Sequence, residues 1–395
     1  MTTATPIDRL RAALLADEAA QLRLAPLADT NTFLDAITAY AAGQGLPIAR
    51  ETFAAGLARA ATPQMQQQLP VLLLAEAPPR HWLPVDLKRH EGRILVEWLH
   101  FAGLPLTDPF FEETQRKAQL LPFNRLMRCA TPLAAVEAFI DAPPLDGLVF
   151  HMSRCGSTLV GQMLGAVCEH VVLSEPPVLD TMIQIVGRGQ ADPLLVRAMA
   201  GALARDRGDG ARHRFVKLDA WHCFVLPMLR QVWPDTPWVF LYRDPGEVLV
   251  SQQRRPGMHC RPGVLPLDAY GIDAYEAAAA PDYAAWILDR ICRAAADAVD
   301  DRCLLLDYAA LPGALVDSVL PHFGVSPEGK DRARIVAAGG RYSKAPTLAF
   351  TPDSATKQRE ASPALRAIAA PLLETHARLE ALRCEQRAPV AVAAS

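Results

Sequence analysis

Short apolar runs alternate with longer amphipathic stretches in the part of the chain that begins near residue 145. The runs have the length of buried strands, and the stretches between them repeat apolar residues at helical spacing. The predicted strands are 148–150, 171–173, 214–218, 238–242 and 303–306, and the predicted helices are 158–168, 178–204, 222–232 and 281–298. This alternation predicts an α/β fold in which a parallel sheet is flanked by helices.

The first 70 residues have a different pattern, in which apolar positions such as Phe33, Leu34 and Ile37 recur at helical spacing. Asn31 or Thr32 is the predicted cap of one of these helices, and 43–47 is a predicted break. A proline-rich stretch follows, and then a mixed region with a predicted strand at 93–98. We therefore expect three parts: a mainly helical accessory region at 1–140, an α/β domain at 141–385, and a disordered tail at 386–395.

Composition narrows the class of protein. With 51% hydrophobic and 21% charged residues, the chain should be globular, and its net charge of −3 argues against a main role in gripping nucleic acid. The eight cysteines form no CxxC pair and show no metal-ligand spacing with histidine, so we expect no metal site and reduced thiols. No secretory signal and no apolar run of about 18 residues is visible, which favours a cytoplasmic protein without membrane contact.

The most informative motif joins the strand at 148–150 to the helix at 158–168. Its residues are Ser153, Arg154, Cys155, Gly156, Ser157 and Thr158. A strand that passes through a small-residue loop into a helix start presents unpaired N–H groups and the positive end of the helix dipole, which together bind an anion. The loop is not a Walker A motif, because it lacks the GxxxxGK[ST] pattern.

A second anion site is predicted at the end of the strand 238–242. Arg243 follows this strand directly, Asp244 and Pro245 suit the cap and first turn of a helix, and Ser251 lies about two helical turns further on. Two such sites at neighbouring strand ends predict a ligand with phosphates at both ends.

Together, the segments FHMSRCGSTLV at 150–160 and LYRDPGEVLVS at 241–251 resemble the sulfotransferase family, over about residues 145 to 360. The resemblance implies a P-loop-like fold and the donor 3′-phosphoadenosine-5′-phosphosulfate (PAPS). It implies that the loop from Arg154 to Thr158 holds the 5′-phosphosulfate, and that Arg243 and Ser251 hold the 3′-phosphate.

An acceptor hydroxyl or amine must lose a proton during sulfuryl transfer, so a base should stand near it. Glu175 ranks first, because related enzymes that act on carbohydrates place a glutamate at a comparable strand end. Asp219 ranks second and His222 third; both follow Lys217 in a segment that resembles the family's Lys-Thr-His strand end. Lys217 is predicted to support the leaving oxygen or the base.

Two departures from the family pattern concern the nucleotide. The late Arg-Lys-Gly loop that covers the 3′-phosphate is absent, and Arg341, Ser343 and Lys344 are its predicted replacements. Leu159 stands where many cytosolic members have the tryptophan that stacks on adenine.

The predicted protein is thus a PAPS-dependent sulfotransferase that acts on a small-molecule or carbohydrate acceptor, with no nucleic-acid partner. The N-terminal region is an acceptor-recognition module or a dimerisation element that would make a homodimer. Two alternatives stay open: a nucleotide-dependent kinase, in which Thr158 and Asp219 would bind Mg²⁺, and a non-catalytic nucleotide-binding protein.

Overall fold

The computed structural model describes residues 5–60, 71–101, 103–280, 282–341 and 353–387. Its contacts divide the chain into two compact units. The first comprises Met1–Pro143, Pro176–Thr181 and Ala198–Ala211, and the second comprises Pro144–Glu175, Met182–Arg197 and Arg212–Ser395.

The described strands form two sheets, one in each unit. In chain order they are β1 (Leu72–Leu73), β2 (Trp82–His90), β3 (Arg93–His100), β4 (Cys129–Pro132), β5 (Gly147–His151), β6 (His170–Ser174), β7 (His213–Lys217), β8 (Trp238–Tyr242) and β9 (Cys303–Asp307).

The described helices are distributed along the whole chain. They are α1 (Pro6–Ala16), α2 (Glu18–Leu24), α3 (Thr30–Gly43), α4 (Arg50–Ala60), α5 (Phe111–Leu120), α6 (Pro122–Leu126), α7 (Ser157–Leu164), α8 (Pro177–Gly187), α9 (Leu194–Leu203), α10 (Leu226–Val232), α11 (Pro245–Arg254), α12 (Ala274–Ala279), α13 (Tyr283–Asp297), α14 (Leu320–His322), α15 (Gly329–Gly339), α16 (Ser354–Glu360), α17 (Pro363–Ile368) and α18 (Ala370–Arg387).

The sheet of the first unit has the strand order β1-β4-β3-β2, and only the β1–β4 pair is parallel. Strands β2 and β3 form a hairpin whose two turn residues, Glu91 and Gly92, both have positive φ. This is the backbone that a two-residue hairpin turn requires. The sequence prediction recognised β3, but it placed the start of β2 in the less regular proline-rich stretch and the rest of β2 and all of β4 among helix and turn segments.

The sheet of the second unit has the order β6-β7-β5-β8-β9, and every pair in it is parallel. Strands β5 and β8 are buried along their length and β7 is buried after its first residue, with Phe150, Phe215 and Phe240 in the core. All five predicted strands are found, and the predicted α/β fold with a parallel sheet flanked by helices is confirmed. The carboxyl ends of such strands are where α/β proteins bind ligands.

Three local predictions were wrong in detail. The predicted helix 178–204 is two helices, α8 and α9, because Gly189 adopts a positive φ and Pro193 lies just before α9. Asp29, not Asn31 or Thr32, caps α3, with its carboxylate accepting the Thr32 N–H at 2.8 Å. The predicted helix 222–232 begins as the 3₁₀ helix Ala220–Val225 and continues as α10.

At the C-terminal end, α18 continues through Arg387, and residues 388–395 of the predicted tail lie outside the described residues. None of the helices in the described ranges is both long and apolar enough to cross a membrane.

Candidate functional site

The loop between β5 and α7 has an unusual backbone. Ser153 (φ 76°), Arg154 (φ 54°) and Gly156 (φ 88°) are all left-handed, which only glycine adopts without strain. In the described part of the chain, no side chain caps the start of α7. The N–H groups of the first turn are therefore available to an anion, and the helix dipole adds to the attraction.

Glycine is required at position 156 by its surroundings as well as by its φ. A Cβ there would lie 2.8 Å from Leu311 Cδ1 and 2.9 Å from Tyr308 Cδ2. The Tyr308 ring also stacks on the Arg243 guanidinium, at 3.9 Å from its centroid. One aromatic side chain thus connects the loop with the second predicted anion site.

Two contacts tie the loop to the end of α11 and the turn beyond it. Gln252 Nε2 donates to Ser153 Oγ at 3.2 Å, while its Oε1 accepts the Gly257 N–H at 2.7 Å. Arg154 donates to the carbonyl of Arg255 at 2.5 Å. The charge of Arg154 is therefore held at the loop.

Three side chains from three strand ends meet beside this loop. Glu175 follows β6, Lys217 ends β7 and His151 ends β5. Lys217 forms an ion pair with Glu175 Oε1, and His151 Nε2 lies 3.2 Å from the same oxygen. Glu175 itself has a positive φ of 53°. Of the four non-glycine residues with positive φ in the described ranges, three lie at this site.

The cluster keeps Glu175 ionised. Burial opposes its charge, but the Lys217 ammonium and the hydrogen bond from His151 outweigh burial and hold the pKa of Glu175 well below 4.5. Burial also lowers the pKa of His151, against the influence of Glu175. At neutral pH the site therefore contains a carboxylate and a neutral imidazole.

The Lys217 side chain runs past α7 at a position where the helix has no side chain, Gly161. A Cβ on Gly161, in the middle of that helix, would lie 3.2 Å from Ser174 Oγ and 3.7 Å from the Lys217 stem. Because α7 begins at the loop, the same helix presents the loop's N–H groups and packs against the lysine.

The other two candidate bases are engaged in local structure. Asp219 and His222 form a reciprocal cap on the 3₁₀ helix that follows β7, with His222 Nδ1 accepting the Asp219 N–H at 3.2 Å. Both side chains are buried. This geometry gives them a structural role, whereas Glu175 has no such capping bond among the described contacts.

Arg243 is buried at the end of β8, as its sequence position predicts, but carboxylates already hold it. It donates to Glu247 Oε2 at 2.6 Å and to Asp353 Oδ1 at 2.6 Å. Lys357 lies 2.7 Å from the other Asp353 oxygen. A phosphate at Arg243 fits only if the half-exposed Asp353 side chain moves away from the two cations.

The remaining predicted ligands of the 3′-phosphate differ in position. Ser251 is on α11, whose cap Asp244 and first residue Pro245 are confirmed, and its hydroxyl donates to the Glu247 carbonyl at 2.9 Å. Arg341 is exposed at the end of the segment after α15. Ser343 and Lys344 lie outside the described residues.

Cys155 is packed into the loop, and its thiol is expected to be unreactive. Its thiol is fully buried and donates to the Leu241 carbonyl at 3.2 Å. Burial raises the pKa of Cys155 to about 12, so a reactive thiolate at the helix start is not supported.

One group of side chains in the second unit offers metal-ligand atoms within 4.8 Å of one another: Asp307, His376 and Glu380. The Glu380 carboxylate is already held by Tyr242 and Arg383, and Asp307 accepts the Ala309 N–H at 2.6 Å. These bonds compete with a cation for the same oxygens.

Sequence reasoning missed several residues of the site. Gln252 and Tyr308 carry no motif signal, since each matters through a contact between segments distant in sequence. A signal existed for His151 alone, as a polar residue that ends an otherwise apolar strand beside the loop.

Comparison with known proteins gives a fold-level likeness only. No protein-family model matches the chain, and no curated protein matches its sequence. Solved structures that are similar include the sulfotransferase domain from the Synechococcus PCC 7002 olefin synthase, at 15% identity and a TM-score of 0.36, covering 61% of this chain and 95% of that one. Sulfotransferase STF9 from Mycobacterium avium matches at 15% identity and a TM-score of 0.30, covering 51% and 71%. Both TM-scores are below 0.5, so neither likeness supports a function for this chain.

Proposed function

We propose that the protein is a sulfotransferase that moves a sulfuryl group from PAPS to a hydroxyl or amine of an acceptor. The observation that carries the proposal is the uncapped, left-handed loop at the start of α7, beside a carboxylate–lysine pair at the next strand ends. The motif resemblance of segments 150–160 and 241–251 supports the same class.

In the proposed reaction, the acceptor attacks sulfur as the bond from sulfur to the bridging phosphate oxygen breaks. The electron pair of that bond leaves with the phosphate, and the acceptor's proton goes to Glu175. The loop N–H groups and Arg154 would stabilise charge on the sulfuryl oxygens, and Lys217 would stabilise the leaving oxygen. Positioning and charge stabilisation would supply most of the rate, as in phosphoryl transfer.

The Lys217–Glu175 ion pair would make the basicity of Glu175 depend on whether the donor is bound. While the ammonium lies on Glu175, the carboxylate is a poor base because its pKa is held low. When Lys217 turns to the leaving oxygen, Glu175 loses its strongest partner and its pKa rises. The carboxylate would then become basic when the donor is in place.

Nucleotide binding tests the donor. By calorimetry, we expect the protein to bind adenosine 3′,5′-bisphosphate, the product of transfer, more tightly than ATP with Mg²⁺. Arg154→Ala should weaken this binding about 10- to 100-fold, the usual effect of losing a charged hydrogen bond. Arg188→Ala, which removes an exposed partner of Asp268, is the matched control and should change nothing. Tight binding of ATP with no binding of the bisphosphate would instead favour the kinase.

Turnover tests the base. With ³⁵S-labelled PAPS and a panel of phenols, alcohols and sugars, Glu175→Gln should abolish transfer and leave bisphosphate binding intact. Asp219→Asn should lower stability through the lost cap more than it lowers transfer. If Asp219→Asn stops transfer and Glu175→Gln does not, the base is Asp219. If the wild type binds the bisphosphate but transfers no sulfuryl group, and both variants behave in the same way, the protein is a non-catalytic nucleotide-binding protein.

A further inference from the structure

His151 connects the two halves of the site. It is the last residue of β5, in the centre of the parallel sheet, and is only 5% exposed. Its Nδ1 lies 3.1 Å from the backbone N of Ser153, in the loop, and its Nε2 lies 3.2 Å from Glu175 Oε1. One ring therefore contacts both the proposed donor loop and the proposed base.

The two contacts fix the tautomer of the ring. A backbone N–H can only donate, so Nδ1 must carry its lone pair toward Ser153. In the neutral ring the proton is then on Nε2, from which it is donated to the carboxylate of Glu175. Burial lowers the pKa of His151 and outweighs the opposing influences of Glu175 and of a backbone hydrogen bond at Leu218, while Lys217 acts with burial. The ring is therefore neutral at neutral pH, and the Ser153 N–H favours this tautomer.

The two donors to Glu175 share one oxygen. Both Lys217 and His151 contact Oε1, and Oε2 is the oxygen that these two contacts leave for a proton in transfer. When Lys217 turns toward the donor, the His151 bond is the one that still holds the orientation of the carboxylate.

We propose that His151 is a positioning residue that sets the anion-binding loop through Nδ1 and the base through Nε2, so that donor and base are aligned by one side chain. The inference rests on the proposed function. Both residues that the ring contacts have strained left-handed backbones, Ser153 at φ 76° and Glu175 at φ 53°. Strained conformations persist only where surrounding contacts hold them, and His151 makes such a contact with each.

Two substitutions separate the two bonds. In His151→Asn the shorter amide can accept from the Ser153 N–H but does not reach Glu175, whereas in His151→Gln the longer amide can donate to Glu175. We expect His151→Asn to lower kcat about 100-fold through a misplaced base, with bisphosphate affinity nearly unchanged. His151→Gln should retain most of kcat and weaken bisphosphate binding up to about 10-fold through the loosened loop.

His213→Gln is the matched control. His213 is the first residue of β7, at the amino-terminal end of the strand that Lys217 ends, and its Nδ1 lies 2.9 Å from Asp146 Oδ1. This variant removes a strand-end contact between a histidine and a carboxylate without touching the site, so kcat and affinity should stay at the wild-type values. If His151→Asn and His151→Gln both fold and change kcat and affinity alike, His151 is an ordinary core residue and the inference is wrong.

A spectroscopic measurement keeps this result separate from the fate of the proposed function. In ¹⁵N NMR of the full chain, the His151 ring should show a protonated Nε2 and an unprotonated Nδ1, and Glu175→Gln should shift the Nε2 resonance. The opposite tautomer would overturn the inference even if PAPS is the donor. A second outcome would contradict the sulfotransferase proposal: the tautomer is as expected, but the wild type neither binds the bisphosphate nor consumes PAPS. His151 would then have no positioning role in sulfuryl transfer, although its hydrogen bonds to Ser153 and Glu175 would be confirmed.

Discussion

At the scale of single residues, the site depends on groups whose ionisation burial has shifted. His259 is one that the proposed reaction does not use. It is 4% exposed, its ring lies 5.7 Å from Trp221, and burial lowers its pKa to about 4. His151 and Arg154 act in the same direction, while Glu175 opposes them. Such a histidine destabilises the fold when it is protonated.

Because the pKa of His259 differs between the folded and unfolded states, the free energy of unfolding depends on pH. The folded-state pKa of His259 lies below its ordinary value of 6.5, so the contribution to stability is complete above pH 6.5 and is lost as the pH falls toward 4. We expect up to about 3 kcal/mol of the free energy of unfolding to disappear in this window. His259→Phe should flatten the dependence when denaturant unfolding is measured at each pH. His90→Gln, at an exposed position, should follow the wild type, and a His259→Phe curve with the wild-type slope would contradict the prediction.

Candidate site residues can be recognised in the sequence only where residue type and position both carry information. The loop and Lys217 are recognisable because small or basic residues stand at predicted strand ends. The resemblance ranks Glu175 above Asp219, but the contacts of the two residues needed the fold, since no spacing rule reveals the cap between Asp219 and His222 or the ion pair of Glu175.

At the scale of elements, the start of α16 bears on the proposed phosphate site at Arg243. Asp353, directly before this helix, bridges Arg243 and Lys357 and so occupies the place of an external anion. The geometry predicts competition between this carboxylate and the 3′-phosphate of the donor.

Asp353→Asn should therefore bind adenosine 3′,5′-bisphosphate about 10-fold more tightly, while its affinity for adenosine 5′-monophosphate, which has no 3′-phosphate, stays unchanged. Glu360→Gln is the control, since Glu360 is the last residue of α16 and its ion pair with Arg254 of α11 is exposed. Calorimetry with both nucleotides checks this. Equal changes for the two nucleotides would show that Asp353 does not compete for the 3′-phosphate subsite.

Strands were easier to predict than helices and turns. Each strand of the parallel sheet is a nearly continuous apolar run, because both faces of such a sheet are covered. Strands β2 and β4 of the other sheet lack this signal: β2 contains Pro84 and has the charged residues Lys88 and Arg89 near its end, and β4 is four residues long. The division of 178–204 into α8 and α9 depends on Gly189 and Pro193, which a periodicity of apolar residues spans without interruption.

At the scale of the whole molecule, the cysteines divide by exposure. All eight are free, and those at 168 and 384 are exposed. Burial raises the pKa of Cys155 and of Cys260 to about 12, and it also raises the pKa values of Cys129, Cys223, Cys292 and Cys303. The buried thiols should therefore be inert in the folded protein.

We expect a thiol-reactive chromophore to label two cysteines quickly in the native protein and all eight in denaturant. Labelling should leave bisphosphate binding unchanged, because the loop thiol of Cys155 is protected. In Cys168→Ser/Cys384→Ser, native labelling should fall to nearly zero. Rapid labelling of a third site with loss of nucleotide binding would mean that the loop opens on the timescale of the reaction.

The left-handed residues of the site also limit how far the stability of this protein can be raised without loss of activity. A non-glycine residue held at positive φ lowers the free energy of unfolding by about 1–3 kcal/mol. Ser153, Arg154 and Glu175 are three such residues. A library selected for heat resistance alone would relieve this cost first, by placing glycine or asparagine at these positions. Selection for turnover would oppose the same changes. The loop is therefore where durability and activity conflict most directly, and stabilising substitutions are best sought in other parts of the chain.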